Sequence, residues 1–308
     1  MLNIIGRKNI FLAVSAVLIG IALVAMVIFG FRQGIDFAGG TLWQFSIASN
    51  TPSVDDLKSF FSAQGGSASG GKSNLDASDA IVTYDEANGS FMARLPDVSE
   101  PDHQKLSSLL KTSHPSFEEA GFQSIGPSVG NELRKNAIIA MILVILGISL
   151  YVAFAFRKVF QPVSSWAYGF ITLLTLFHDV AIPAGLLALL GHYAKIEIDG
   201  NFIVALLVVM GFSVHDTIVV FDRIRENLLL DRGKTAFPEL VNKSVNQTIA
   251  RSVNTSLTLI LVLLALYFAG PASLHYFVLT LLVGVTTGIY SSIFVASPLL
   301  VLWQGRKK

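Results

Sequence analysis

The sequence predicts a membrane α-helical bundle of six transmembrane helices carrying an external α+β domain of ferredoxin-like pattern. Three observations predict it. Of 308 residues, 52% are hydrophobic and only 14% charged, a composition too apolar to face water on every side. Six runs are long and apolar enough to cross a hydrocarbon core about 30 Å thick, which takes roughly 20 helical residues. Between the first and second runs, the polar segment Phe31–Asn131 shows apolar spacing that reads β-α-β-β-α-β. The chain thus divides into a first transmembrane helix (1–30), an external domain (31–131) and a membrane domain of five further helices (132–308).

The spans are Asn9–Phe29, Ala137–Phe156, Val163–Leu190, Phe202–Phe221, Val253–Ala269 and Leu274–Trp303. The first is longer than the apolar core of a cleaved signal, about 7–15 residues, and reads as a retained anchor. Pro183 and Pro298 fall inside the two longest spans and predict kinks or tilt there. Arg7/Lys8, Arg157/Lys158, Arg223/Arg225/Arg232/Lys234/Lys243 and Arg306/Lys307/Lys308 all lie on one side of the predicted bundle. The loops Gly191–Asn201 and Pro271–Ser273, on the other side, carry one Lys between them. The positive-inside rule makes the basic side cytoplasmic, with both termini inside and the first large loop outside. In a bacterium this is the inner membrane with a periplasmic domain.

Within the external domain, Thr41–Ala48 reads as a strand. Ser53–Gln64 reads as a helix capped by Ser53, with Val54, Leu57, Phe60 and Phe61 on one face. After the Gly/Ser-rich loop Gly65–Ser78 come strands Ala80–Tyr84 and Ser90–Leu95 across an Asn88-Gly89 turn. A helix near Ser99–Thr112 and a strand near Phe117–Ile125 complete the pattern. Asn88-Gly89-Ser90 is a formal glycosylation sequon, but its place in the hairpin accounts for it.

Composition and motif chemistry exclude several functions. The net charge of +1 gives no footprint for nucleic acid. With no cysteine, disulfides, thiolate metal sites and Cys nucleophiles are absent. No His, Asp or Glu spacing matches a zinc or calcium loop, and neither metal nor cofactor is expected. Gly126-Pro127-Ser128-Val129-Gly130 matches a nucleophile elbow in letters only, since no hydrolase sheet surrounds it. We read Gly126 and Gly130, with Gly34, Asp36, Gly39 and Gly40 after the first span, as flexible tethers where the outer domain meets the membrane. No catalytic residue is assigned, and the chain reads as a non-enzyme.

Ionisable residues inside spans are the strongest local signal, because an Asp at a helix centre costs about 2.5–3.5 kcal/mol to insert. His178-Asp179 lies in the third span and His215-Asp216 in the fourth. Counted from Arg223, Asp216 lies about 10 Å into the membrane, and Arg251 lies about 12 Å beyond Lys243. The two can meet at one level if the fourth and fifth spans are neighbours. Burial and a facing guanidinium act oppositely on a carboxyl's proton affinity, so such a pair can be poised to take and lose a proton. Asp179 lacks a basic partner at its depth and is a second candidate for the same pathway, while His178 and His215 are expected to point to other helix faces. Gly284-Val285-Thr286-Thr287-Gly288 has the G-x-x-x-G spacing of close helix packing, within the chain or with a partner. Thr235–Ile249 gathers Phe237, Leu240, Val241, Val245 and Ile249 on one face, as an interfacial helix does.

Gly34–Gly40, Gly126–Gly130, the run Gly211–Asn227 and the segment Ser244–Ser256 with Arg251, in this order along nearly the whole chain, resemble the bacterial SecF family. The resemblance implies one half of an RND-type transporter, paired with a SecD-like subunit. It implies work beside the SecYEG channel, with SecA, YidC and YajC as further candidate partners and a translocating preprotein and membrane lipid as contacts. Proton-motive force would drive late steps of preprotein export, with Asp216 and Arg251 as the carboxylate and arginine of the proton pathway. Ser252 and Asn254 depart from the threonines the family leads one to expect, and the Gly65–Ser78 loop is a further departure. An RND-type exporter of lipids or small molecules is the alternative function, and a passive membrane scaffold is the third.

Overall fold

The structure, a computed structural model, describes residues 2–48, 51–65, 80–85, 89–157, 163–231 and 233–305. Residues 66–78 of the Gly/Ser-rich loop, Asn88 of the hairpin turn, and Lys158, Arg232, Arg306, Lys307 and Lys308 lie outside the described residues. The chain forms two compact units, Met1–Arg32 with Ala137–Lys308, and Gln33–Asn136.

The outer unit begins with the short helix α2 (Ile35–Ala38), after α1 (Lys8–Phe29) of the bundle. It continues as β1 (Gly40–Ile47), α3 (Val54–Gly65), β2 (Ile81–Asp85), β3 (Ser90–Leu95), α4 (Glu100–Ser113) and β4 (Phe117–Ile125). The sheet order β2-β3-β1-β4, antiparallel throughout, is the ferredoxin-like arrangement that the spacing predicts. Alternation along β1 sends Trp43, Phe45 and Ile47 into the core against Leu57 and Phe61 of α3 and Leu106 and Leu110 of α4. Ser53 Oγ accepts from the Asp56 backbone N–H at 3.1 Å, and Asp56 Oδ2 accepts in return from Ser53 N at 3.0 Å, a reciprocal cap for α3. The Ser53 hydroxyl also donates to this carboxylate, and the two bonds hold Asp56 below the usual carboxyl range.

Within the Gln33–Asn136 unit the two glycine segments pack against each other. Gly39 and Gly40 have φ of 75° and 121°, conformations that disfavour a side chain. A Cβ on Gly39 would sit 2.9 Å from Pro127 Cα, and one on Gly130 would sit 3.0 Å from the Gly39 nitrogen. Pro127 opens α5 (Pro127–Ala155), so Gly130 belongs to a helical first turn laid against α2. Gly34 precedes α2, and Asp36 stands in its single turn.

The membrane unit comprises α1, α5, α6 (Ser165–Tyr193), α7 (Gly200–Asp231), α8 (Phe237–Ala269), α9 (His275–Ser291) and α10 (Ser297–Gly305). A π turn at Ser292–Ala296 joins α9 to α10, giving, among the described residues, six helical rods long and apolar enough to cross a membrane. The π turn immediately precedes Ser297-Pro298, where the proline lacks the N–H that a regular helix would use. Pro183, by contrast, sits inside an uninterrupted α6. The interior belongs to α6, α7 and the α9–α10 rod, while α1, α5 and α8 expose most of their apolar surface.

One expectation changes here. The segment Thr235–Ile249 is not an interfacial helix, because most of it forms the first half of α8. Phe237, Leu240, Val241 and Val245 are buried in the bundle core, with Ile249 packed against them. The apolar stripe meets protein, which satisfies it better than an interface would. The Gly284/Gly288 face is also used internally. Gly284 lies against Val209, and a Cβ on Gly288 would be 3.3 Å from Ser213 Cβ, so this edge of α9 is pressed onto α7.

Gly39→Val should destabilise the outer unit by about 2 kcal/mol or more, since positive φ costs roughly 1–2 kcal/mol before the overlap with Pro127 is counted. Gly121→Val, in β4 where a Cβ meets nothing within 4 Å, should be close to neutral. Thermal unfolding followed through the buried Trp43 would show the difference.

Candidate functional site

The interior of the bundle holds a cluster of polar side chains where α6, α7 and α9 converge. Asp179 of α6 is 0% exposed. A carboxyl in such a place must be satisfied by its neighbours, and three supply hydrogen bonds. His178 Nδ1 lies within hydrogen-bonding distance of Asp179 Oδ1, at 2.8 Å. Ser213 of α7 donates its hydroxyl to Oδ2, and Ser291 of α9 donates to the same oxygen at 2.7 Å.

The helix contacts explain why these groups can converge. Gly288 lets α9 approach α7 at Ser213, and Ser291 follows one turn later on the same face of α9. A larger residue at 288 would part the two hydroxyls that share one carboxylate oxygen. His178, expected on another face, instead turns its ring onto Asp179 and lies 6.3 Å from the ring of Tyr290. Tyr290 in turn donates to the Phe11 carbonyl of α1 at 2.9 Å, extending the network to a fourth helix.

Asp216 stands one turn along α7 and is 5% exposed. The side chains that bear on its carboxyl are Ser252 of α8, His215, Ser292 of the π turn and Asp179. Its Oδ2 is buried without a hydrogen-bond partner among the described residues, as are Ser252 Oγ, Ser256 Oγ and His178 Nε2. Next to it, Thr217 and Ser292 hydroxyls are 2.8 Å apart. The π turn thus places Ser292 against α7 one residue after Ser291 reaches Asp179.

The expected level meeting of Asp216 with Arg251 is not realised as an ion pair. The fourth and fifth spans are neighbours, and Asp216 does face α8, but at Ser252. Successive helical residues are about 100° apart, so the residue after Arg251 takes the inward position. Arg251 is exposed. The inward face of α8 is a stripe of buried hydroxyls at four-residue intervals, Ser244, Thr248, Ser252 and Ser256. The outward face in the same stretch carries Gln247, Arg251, Asn254, Thr255 and Thr258, and His215 of α7 is exposed as well. Sequence reasoning missed Ser213, Ser291, Ser292 and this stripe. The i, i+4 recurrence of hydroxyls through an apolar span was the available signal.

Beyond the apolar interior, α7 and α8 are fastened by side chains of the Asp222–Asn227 run. Arg223 Nε donates to Gln247 Oε1 at 2.7 Å, and Asn227 Nδ2 donates to Ser244 Oγ at 2.7 Å and to Gln247 Oε1 at 2.9 Å. Arg223–Glu226 and Arg225–Asp222 pairs, each at 2.6 Å, hold the arginines along α7. Among the described residues no group of three or more His, Asp or Glu could hold a metal ion.

Known proteins resemble this chain in sequence and in fold. The family model for the protein export membrane protein SecD/SecF C-terminal region matches residues 105–306, and the SecD/SecF GG motif model matches residues 24–44. The protein translocase subunit SecF of Thermobaculum terrenum is 44% identical over 308 residues, which covers 99% of this chain and 95% of that one. The protein translocase subunit SecDF of Thermus thermophilus is 38% identical over 96% of this chain, which spans 38% of the longer protein. A crystal structure of SecDF from a Thermus species, described as a translocon-associated membrane protein, superposes with a TM-score of 0.81 at 36% identity, over 99% of this chain and 39% of that chain. The chain is a multi-pass membrane protein and belongs to the SecD/SecF family of protein export membrane proteins.

Proposed function

We propose that the chain is a SecF-type, non-enzymatic subunit of the Sec protein translocase that couples proton-motive force to late steps of preprotein export. The observation that carries this reading is the pair of buried carboxyls, Asp179 and Asp216, on adjacent helices of a bundle whose relatives are protein translocase subunits. Asp179 is fully hydrogen-bonded and holds α6, α7 and α9 together. Asp216 keeps a buried oxygen without a partner, beside hydroxyls of α8 in the same state. A proton taken up at Asp216 removes a buried charge and supplies a donor to those hydroxyls, favouring a different seat for α8. Each charge crossing the full potential supplies about 2.3 kcal/mol per 100 mV, enough for a few steps to bias two helix arrangements.

Arg251 enters the same cycle from the outer face of α8. An arginine in mid-span costs about 2.5–3.5 kcal/mol against lipid, and Asn254 and His215 beside it add to the cost. A second membrane half covering this face would remove the penalty, and a SecD-like subunit is the partner proposed, as SecDF joins both in one chain. A small turn of α8 would then bring Arg251 towards Asp216 and pair them. The placement proposed is the bacterial inner membrane, termini cytoplasmic, Gln33–Asn136 periplasmic, next to the SecYEG channel. SecA, YidC and YajC remain further candidate partners. A helix movement could be passed along the chain at Gly34–Gly40 and Gly126–Gly130 to an emerging polypeptide.

Three outcomes test this. Because no cysteine is present, Ser113→Cys should label only from the periplasmic side and Ala236→Cys only from the cytoplasm, and the reverse pattern would invert the model. Asp216→Asn should abolish stimulation of translocation by the proton gradient in energised vesicles, measured with and without an uncoupler. It should leave assembly intact, since an amide keeps the shape of the carboxyl it replaces. Asp179→Ala should instead lower thermal stability in detergent, by about 1–3 kcal/mol for each group it orphans among His178, Ser213 and Ser291. Wild-type stimulation in the Asp216→Asn protein would reduce Asp216 to a packing residue.

A further inference from the structure

We infer that a groove at the helix ends nearest the N-terminus of the bundle binds one anionic phospholipid. The groove has a volume of about 570 Å³, and its lining includes Lys8, Phe170, Leu174, Leu302, Trp303 and Gln304. These residues come from one level of the bundle. Lys8 is the first residue of α1, Phe170 lies near the start of α6, and Trp303 and Gln304 lie at the end of α10. The groove therefore opens where the spans leave the hydrocarbon, and Leu174 continues it one turn deeper, about 6 Å.

Its chemistry is divided in the same direction. Phe170, Leu174 and Leu302 are 45%, 41% and 38% exposed and form an apolar wall open to acyl chains. At the outer end Lys8 is half-buried, and no ion pair neutralises it among the described residues. The Trp303 ring packs on Phe170 with centroids 5.4 Å apart, as an amphipathic ring does at a membrane interface. A cation and an amide above an apolar slot complement a molecule with a phosphate at one end and an acyl chain at the other. A free phosphate would engage Lys8 and leave the wall uncovered. A zwitterionic headgroup would set its own cation near Lys8, so a net negative headgroup fits better.

The inference is independent of the proton pathway and is tested without a translocation assay. The full chain, taken into mild detergent with equal amounts of phosphatidylglycerol and phosphatidylcholine, is examined by native mass spectrometry for retained lipid. Wild type should keep phosphatidylglycerol about fivefold over phosphatidylcholine, the factor one basic side chain contributes near an anionic surface. Lys8→Gln should bring the ratio near one, Lys8→Arg should restore it, and Arg7→Gln, outside the groove, should leave it unchanged. Leu174→Trp, which fills the groove, should reduce retention of both lipids. A photo-crosslinker at position 302 in cells should yield an adduct of lipid mass. Equal retention by wild type, a preference that survives Lys8→Gln, displacement of the lipid by inorganic phosphate, or a polypeptide adduct at position 302 would each overturn the assignment.

Discussion

A carboxyl group held away from water in the middle of a helical bundle has to be satisfied by protein, and Asp179 is the group that sets this requirement here. Its two oxygens engage His178, Ser213 and Ser291, so one side chain specifies the relative positions of α6, α7 and α9. In lipid no hydrophobic force draws helices together, and packing with polar contacts must do so. The same side chain that is expensive to insert becomes the contact that selects one arrangement of three helices. The π turn follows from the same demand, because it lets Ser291 reach Asp179 while the next residue, Ser292, meets Thr217.

Small residues make that convergence sterically possible. Gly185 of α6 lies against Ala22 of α1, Gly169 against Ser149 and Ala153 of α5, and Gly288 against Ser213. At Gly288 the close approach brings Ser213 and Ser291 onto the same Asp179 oxygen. Close approach and polar contact thus coincide at Gly288, Ser213 and Ser291.

Much of this was legible in the sequence, for reasons that differ by element. The outer domain could be read because period-two alternation in Trp43, Phe45 and Ile47, together with the Ser53 cap, is local information. The spans could be read because lipid imposes a length on any helix that crosses it. Asp179 and Asp216 stood out as carboxyls in apolar runs. Their partners did not, because a serine in a membrane helix costs little and carries no signal until the facing helix is known. The expected Asp216–Arg251 pair is absent from this arrangement for a related reason: depth along a helix can be counted from sequence, whereas azimuth depends on which face packs inward. The segment before the fifth span was misplaced likewise, since an amphipathic stripe shows that a face is buried but not what buries it.

The two faces of α8 place opposite demands on their surroundings. Inward, the hydroxyls of Ser244, Thr248, Ser252 and Ser256 are short, and each can donate or accept, so they fit α7 whether Asp216 is charged or neutral. Outward, Arg251 is long, always charged and without an ion-pair partner among the described residues, so its energy depends strongly on what lies beside it. A rotation of α8 therefore changes little on its hydroxyl face and much on its arginine face. In the proposed cycle this asymmetry would put the energetic difference between the two arrangements at Arg251, with the hydroxyl stripe keeping the path between them low. Asn242 and Asn246 of the same helix hold the backbone of Leu2, Ile4 and Ile5 through five hydrogen bonds of 2.8–3.1 Å. Any movement of α8 is thereby carried to the start of α1, so the helix that meets Asp216 is mechanically joined to the chain's first span.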